Sequence, residues 1–293
     1  MVIGAGERIR VGCRTLKCRE GYDLLHLFVG SEGTLGVITE ATVRLAPLPE
    51  AFVEIVAQYD DVVDLANTVV EARRRRLWLI VAEFMDDDGS DLVGLGRKYT
   101  LWMGADISAG SEEVVLTRLR EVAEGNRGKV VAEAAKWGDF FKLLEPRRLL
   151  YPAPVKRAAE SYGGNAVIMM ADVAVPTSKL PEAMRKVKDA VRLYGVPTIT
   201  GGHVGNGNIH PTLWFDKSNE EQKKAIKLFE HFGKIAIKYD GTISAEHGIG
   251  VHKREMLKTA LEARGSTLSL RLYREIKRIF DPHGIFNPGK IFE

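Results

Sequence analysis

The sequence predicts an α+β fold: two βαββαβ units lay their strands in one antiparallel sheet, with helices on one face. Three observations predict it. Residues 52–132 run strand, helix, strand, strand, helix, strand by apolar periodicity. Residues 165–243 repeat that order. Pro47-Leu48-Pro49 sets the first repeat apart from a differently patterned N-terminal segment.

The elements follow in order. Residues 1–12 alternate like a strand and lead through a loop to Gly21-Tyr22-Asp23. A short apolar stretch then enters Gly30-Ser31-Glu32-Gly33-Thr34-Leu35-Gly36, and a β-branched strand, residues 37–45, leaves it. Glycines every third residue let a backbone approach a ligand closely. No helix follows the loop, so it is not the dinucleotide fingerprint. In the first repeat, residues 52–59, 77–85, 97–107 and 130–132 read as strands, with an acidic loop at 86–91. Residues 61–76 and 111–125 read as helices, the second capped by Ser111. A linker helix, 136–144, precedes Glu145-Pro146-Arg147-Arg148. In the second repeat, strands fall at 165–175, 196–204, 209–215 and 241–243, and helices at 178–194 and 218–238. Two further helices, near 254–261 and 268–280, end in a tail shaped by two prolines and two glycines.

Composition narrows the function classes. A net charge of +3 over 293 residues is too small to argue for nucleic acid. The run Arg73-Arg74-Arg75-Arg76 reads as a solvated helix end that complements the helix dipole. The best apolar run, 77–85, contains Glu83 and falls short of the roughly 20 residues of a membrane span. No leader pattern stands at Met1, and Cys13 and Cys18 read as free thiols of a cytoplasmic protein.

The densest chemistry is Gly201-Gly202-His203-Val204-Gly205-Asn206-Gly207-Asn208-Ile209-His210. Asn206-Gly207 between two β-rich runs predicts a two-residue type I′ hairpin. That register pairs His203 with His210, Cβ atoms about 5 Å apart on one face. Two imidazoles so placed can share a metal; two unrelated histidines in a Gly-rich loop is the alternative. Glu246, in the Gly-flanked stretch Ser244-Ala245-Glu246-His247-Gly248-Ile249-Gly250, is the leading third ligand. Two imidazoles and a carboxylate suit zinc, manganese or iron. His247 is placed to take a hydroxyl proton. His26 and His231 read as structural; Lys253 reads equally well as an anion partner or a solvated side chain.

Four motifs in order now carry a resemblance over essentially the whole chain: residues 30–36, 203–210, 244–250, and Asn287-Pro288-Gly289-Lys290. The chain resembles the C-terminal portion of FAD-linked 2-hydroxy-acid oxidoreductases, the family of the glycolate oxidase FAD subunit, cytochrome-type D-lactate dehydrogenase and D-2-hydroxyglutarate dehydrogenase. The resemblance implies FAD and a divalent metal as cofactors. It implies that residues 1–47 are a C-terminal remnant of a PCMH-type FAD-binding domain. Residues 48–250 would be the substrate domain, and 251–293 a tail returning to the FAD domain. Gly30, Ser31, Glu32, Gly33, Gly36, Ile38 and Asn287 would lie near the flavin. His203, His210 and Glu246 would hold the metal, and His247 would be the catalytic base. Arg148 or Arg147 would bind the substrate carboxylate.

The implied reaction is oxidation of a small 2-hydroxy acid by hydride transfer to flavin N5. Asn206 stands where Asp is usual, at a turn position. Met170 stands where some members carry a lysine before the strand aspartate, here Asp172, which argues against a dicarboxylate substrate. Most of the family's FAD-binding domain precedes the position of Met1. The missing part is expected as a separate FAD-binding polypeptide, a mis-assigned start or a loss; an iron–sulfur or cytochrome electron acceptor at the membrane periphery is a further expected partner, and a homodimer stays open. A remnant that binds metal or hydroxy acid without catalysis is the alternative reading.

Overall fold

The computed structural model describes residues 1–292, which divide into two compact units: Met1–Pro47 with Glu246–Glu293, and Leu48–Ala245. The first unit begins with β1 (Val2–Ile3), α1 (Leu25–Phe28) and β2 (Gly36–Val37). Strands β1 and β2 pair antiparallel over two residues. The sequence predicts strands over 1–12 and 37–45, and both are cut short. Strand patterns need a hydrogen-bonding neighbour, and residues 38–50 have no partner strand among the described residues. Cys13 and Cys18, read from sequence as free thiols, are joined in a disulfide, Cα atoms 6.1 Å apart.

The second unit carries both repeats. The first comprises β3 (Ala51–Tyr59), α2 (Val62–Arg74), β4 (Leu79–Met85), α3 (Asp87–Leu92), β5 (Tyr99–Ile107), α4 (Glu112–Gly125) and β6 (Lys129–Ala134). The linker forms α5 (Trp137–Leu143), α6 (Glu145–Arg148) and α7 (Pro152–Tyr162). The second comprises β7 (Ala166–Met170), β8 (Val173–Ala174), α8 (Leu180–Tyr194), β9 (Thr198–Gly202), β10 (Asn208–Asp216) and α9 (Asn219–Lys238). The sheet order is β6-β3-β5-β4-β9-β10-β7, with β8 also on β10, and every pairing is antiparallel. This is the α+β architecture read from the sequence, with two split βαβ units meeting at β4 and β9.

Local chemistry accounts for the departures. The expected acidic loop is helix α3. Asp86 caps it by accepting from Gly89 N at 2.8 Å, and acidic residues in a first turn suit the helix dipole. Ser111 makes no cap; its hydroxyl donates to Ser108 O instead. The strand expected at 165–175 breaks at Ala171-Asp172. The strand expected at 241–243 is reduced to one bridge, Ala174 with Thr242.

Adjacent strand residues face opposite sides of the sheet. Ile55, Leu101, Met103 and Phe84 are buried on one face, where α2, α4, α8 and α9 supply Leu65, Leu119, Val187 and Phe232. Their neighbours Val56, Trp102 and Met85 point the other way and join Leu150, Ala158, Ile199 and Trp214 in a second core beneath the linker. The helices of the repeats thus share one face, as the sequence predicts, while the linker helices cover the other. Trp102 Nε1 donates to Leu143 O at 2.7 Å and fixes the linker to the sheet.

Among the described residues the seam between the repeats has two strand pairs, Phe84 with Gly202 and Met85 with Gly201. Side chains reinforce it. Lys188 of α8, side chain 10% exposed, reaches Asp87, Asp88 (2.8 Å) and Asp86 (3.7 Å) around the start of α3. Arg73, exposed in the last turn of α2 as the sequence predicts, also donates through Nη1 to Gly205 O at 3.0 Å and Thr177 Oγ1 at 2.8 Å and so clamps the loop.

Helices α10 (Arg254–Ala263) and α11 (Leu268–Phe280) complete the first unit. Ile3, Phe28 and Leu35 form its core with Ile276 and Phe280. Lys277 donates to Thr34 O and Phe286 O, both at 2.7 Å, and pairs with buried Asp281. Burial alone would raise the Asp281 carboxyl; Lys277 and the N–H groups of Phe286 and Ile285 hold it below the usual range instead.

Candidate metal centre

The histidine pair arises at the seam, but not by the predicted turn. In β10, His210 pairs with Gly201, not with His203. Residues Val204–Asn206 form a single 3-10 turn, and Gly207 alone takes the left-handed conformation, φ +77°. Gly207 N donates to Val204 O at 3.0 Å, and Asn208 N to His203 O at 3.2 Å. A type I′ turn needs positive φ at both central residues, and Asn206 does not adopt it. The wider turn still delivers the two rings together. His203 and His210 have centroids 5.3 Å apart with planes at 86°.

Each imidazole has a carboxylate beside it. Glu83 projects from β4 on the same face as Trp102, its pairing partner in β5. Its Oε1 lies 2.7 Å from His203 Nδ1. A carboxylate in this contact accepts, so Nδ1 is the donor, and the tautomer with its hydrogen there presents the lone pair at Nε2. Glu83 Oε2 accepts from Arg147 Nε at 3.0 Å and lies 2.8 Å from Arg147 Nη2. Asp172, wholly buried in the break between β7 and β8, has Oδ1 3.8 Å from His210 Nδ1. Its Oδ2 accepts from Ser244 Oγ at 2.9 Å and Ala245 N at 3.0 Å. Asp172 therefore fixes the last residues before Glu246.

Small residues make the crowding possible. A Cβ on Gly201 would lie 2.4 Å from Leu150 Cδ2 and 2.9 Å from Phe84 O. A Cβ on Gly207 would lie 2.0 Å from Val175 O.

The remaining sequence-derived site residues fall as follows. Arg148 is exposed at the end of α6, whereas Arg147, side chain 17% exposed, is the one that reaches the site. Glu246 and His247 open the second segment of the other unit, where His247 Nε2 lies 3.7 Å from Glu246 Oε1. In that unit the Glu32 carboxylate accepts from Ile249 N (2.6 Å) and Gly250 N (2.7 Å), and Asn287 Nδ2 donates to Glu32 O at 2.7 Å. Both side chains thus bind the loop at 30–36 to the motif at 244–250 and to the tail. Gly30 has open space where a Cβ would stand, Ser31 O is bonded by Thr34, and Val29, Val37 and Ile38 expose apolar side chains. Gly33 abuts the Asn287 side chain, and Gly36 abuts Val2 O.

Sequence reasoning missed Glu83 as a site residue. Its signal was a lone carboxylate in an otherwise apolar strand. Asp172 served only as a landmark, and Glu54, a second carboxylate inside an apolar strand, passed unremarked.

The fold is a sheet of two split βαβ repeats, and its seam carries an imidazole pair backed by carboxylates. Residues 48–291 match the model of the FAD linked oxidases, C-terminal domain, and the chain belongs to that family. It is 30% identical over 301 residues to a glycolate oxidase subunit GlcD from Bacillus subtilis, covering 100% of this chain and 62% of that protein. It is 32% identical over 305 residues to a D-lactate dehydrogenase from Archaeoglobus fulgidus, covering 99% and 62%. The chain therefore spans about three fifths of the length of these curated relatives. Among solved structures, p-cresol methylhydroxylase with substrate bound superposes with a TM-score of 0.70 at 16% identity, over 100% of this chain and 64% of that one. That likeness shows the shared fold. No helix among the described residues is long and apolar enough to cross a membrane.

Proposed function

We propose that this chain is the substrate- and metal-binding part of an FAD-dependent oxidoreductase that converts a small 2-hydroxy acid, of the D-lactate or glycolate type, to the 2-oxo acid. The carrying observation is the imidazole pair at the seam, each ring beside a carboxylate. This donor set fits a zinc, manganese or iron ion. The motif at 244–250 supplies Glu246 as third ligand and His247 as base. A divalent ion, when bound, supplies a Lewis acid for the substrate's carboxylate and hydroxyl oxygens.

The chain's own residues then have distinct tasks. Arg147 binds the substrate carboxylate in preference to exposed Arg148. Its Nε and Nη2 are turned to Glu83, while Nη1 has no acceptor among the described residues. His247 takes the hydroxyl proton at a ring nitrogen. FAD, when bound, supplies the acceptor for the C2 hydride. The loop at 30–36 suits its rim, because Gly30 leaves open backbone and Val37 and Ile38 offer apolar contact. The flavin's remaining contacts would come from the two fifths of the relatives' length that this chain does not span, carried on the same polypeptide or on a separate one. The electrons then pass to an iron–sulfur or cytochrome acceptor.

The experiment supplies FAD and zinc or manganese to the purified protein, alone and with a candidate FAD-binding partner chain. It records the flavin absorbance on adding D-lactate or glycolate. Bleaching by a 2-hydroxy acid, lost in His247→Ala with metal retained, supports the proposal. Absence of both flavin uptake and hydroxy-acid binding in every combination refutes it.

A further inference from the structure

We infer that Glu83 is a positioning residue for the metal: it orients His203 from the opposite repeat, and Arg147 in turn locks Glu83. The inference rests on the metal reading above and deepens it. Three observations carry it. Glu83 uses each oxygen on a different partner, Oε1 on His203 Nδ1 at 2.7 Å and Oε2 on Arg147 at 2.8 and 3.0 Å. Both members of the Glu83–Arg147 pair are largely shielded, with side chains 19% and 17% exposed. The three residues come from separate elements: β4, α6 and the turn after β9.

A structural ion pair would need only Glu83 and Arg147. The third contact gives Glu83 a chemical consequence, because its Oε1 accepts from Nδ1–H and so selects the tautomer whose Nε2 can ligate. It also fixes the ring about its χ2 axis and raises the basicity of the ligating nitrogen. His203 needs such support, since it lies outside the ladder of β9 and β10 and its backbone is in a turn. Arg147 keeps Glu83 from swinging toward the cation itself. The carboxylate thus stays behind the imidazole, and the first repeat takes part in a site whose histidines both belong to the second.

The test is zinc affinity of the full chain, measured by competition with a chromophoric chelator. The proteins are wild type, Glu83→Gln, Glu83→Asp and His203→Ala, with thermal unfolding of each metal-free protein beside it. Glu83→Gln should weaken zinc about 10- to 100-fold. Glu83→Asp, which keeps the charge, should recover part of the loss. The cobalt-substituted forms should show a shifted visible spectrum in Glu83→Gln, which loss of a purely structural ion pair would not produce. Wild-type affinity and spectrum in both folded Glu83 variants, with His203→Ala still losing zinc, would overturn the role of Glu83 alone. A wild type that binds no zinc, or a His203→Ala that binds as tightly, would overturn the metal reading itself.

Discussion

Glu54 on β3 is wholly buried, and neither carboxylate oxygen has a hydrogen-bond partner among the described residues. It sits between Gly104 of β5 and Ala134 of β6, and shares its face of the strand with Phe52 and Val56. Burial pushes its carboxyl up from 4.5 to about 8. The folded state therefore holds a proton that the unfolded state releases above about pH 4.5. Since the folded protein binds more protons, stability falls as pH rises through this window, by about 1.4 kcal/mol per pH unit. The full shift corresponds to about 5 kcal/mol, reached above pH 8. Glu54→Gln keeps the shape and removes the titration. Urea unfolding of both proteins between pH 5 and 9 checks the sign and the size. Relative to the variant, wild type should lose about 4 kcal/mol between pH 5 and 8 and then level off. Two parallel stability curves would refute the reasoning, and a wild type that gained stability with pH would reverse its sign.

Other perturbations test other joints. Lys188→Met strips the cation from three aspartates at the seam and should cost about 3–5 kcal/mol, read as a lower urea midpoint. Gly207→Ala places a methyl against Val175 O at a left-handed position and should cost upward of about 2 kcal/mol, with loss of bound zinc; unchanged midpoint and zinc content would refute the turn geometry. Asp281, held below its ordinary 3.8, contributes stability that is present above that value and lost as pH falls beneath it. Asp281→Asn should therefore flatten the acid limb of a melting-temperature profile between pH 2 and 4, and an unchanged limb would count against the Lys277–Asp281 anchor. Arg147→Met should raise KM for a 2-hydroxy acid and also lower zinc affinity, whereas Arg148→Met should change neither; equal effects would undo the distinction between the two arginines.

The sequence by itself determined the architecture. Strand and helix periods, repeated twice, dictate two βαββαβ units, because each unit must bury one face of its strands under its own helices. It also determined that His203 and His210 belong together, since a short glycine-rich reversal between β-rich runs brings its flanks close whatever its type. The turn type itself was beyond it. Gly207 alone is left-handed, and Arg73, 132 residues upstream of Gly205, clamps the loop from outside. Tertiary structure also decided what the carboxylates do. Glu83, Glu54 and Asp172 look alike as lone acids in apolar runs. Their roles diverge only when the second repeat lays His203 beside Glu83, the β7–β8 break sets Asp172 beside His210, and Glu54 is left in the sheet interior without a partner among the described residues. Periodicity records which face a side chain takes; only packing between distant segments records what it meets there.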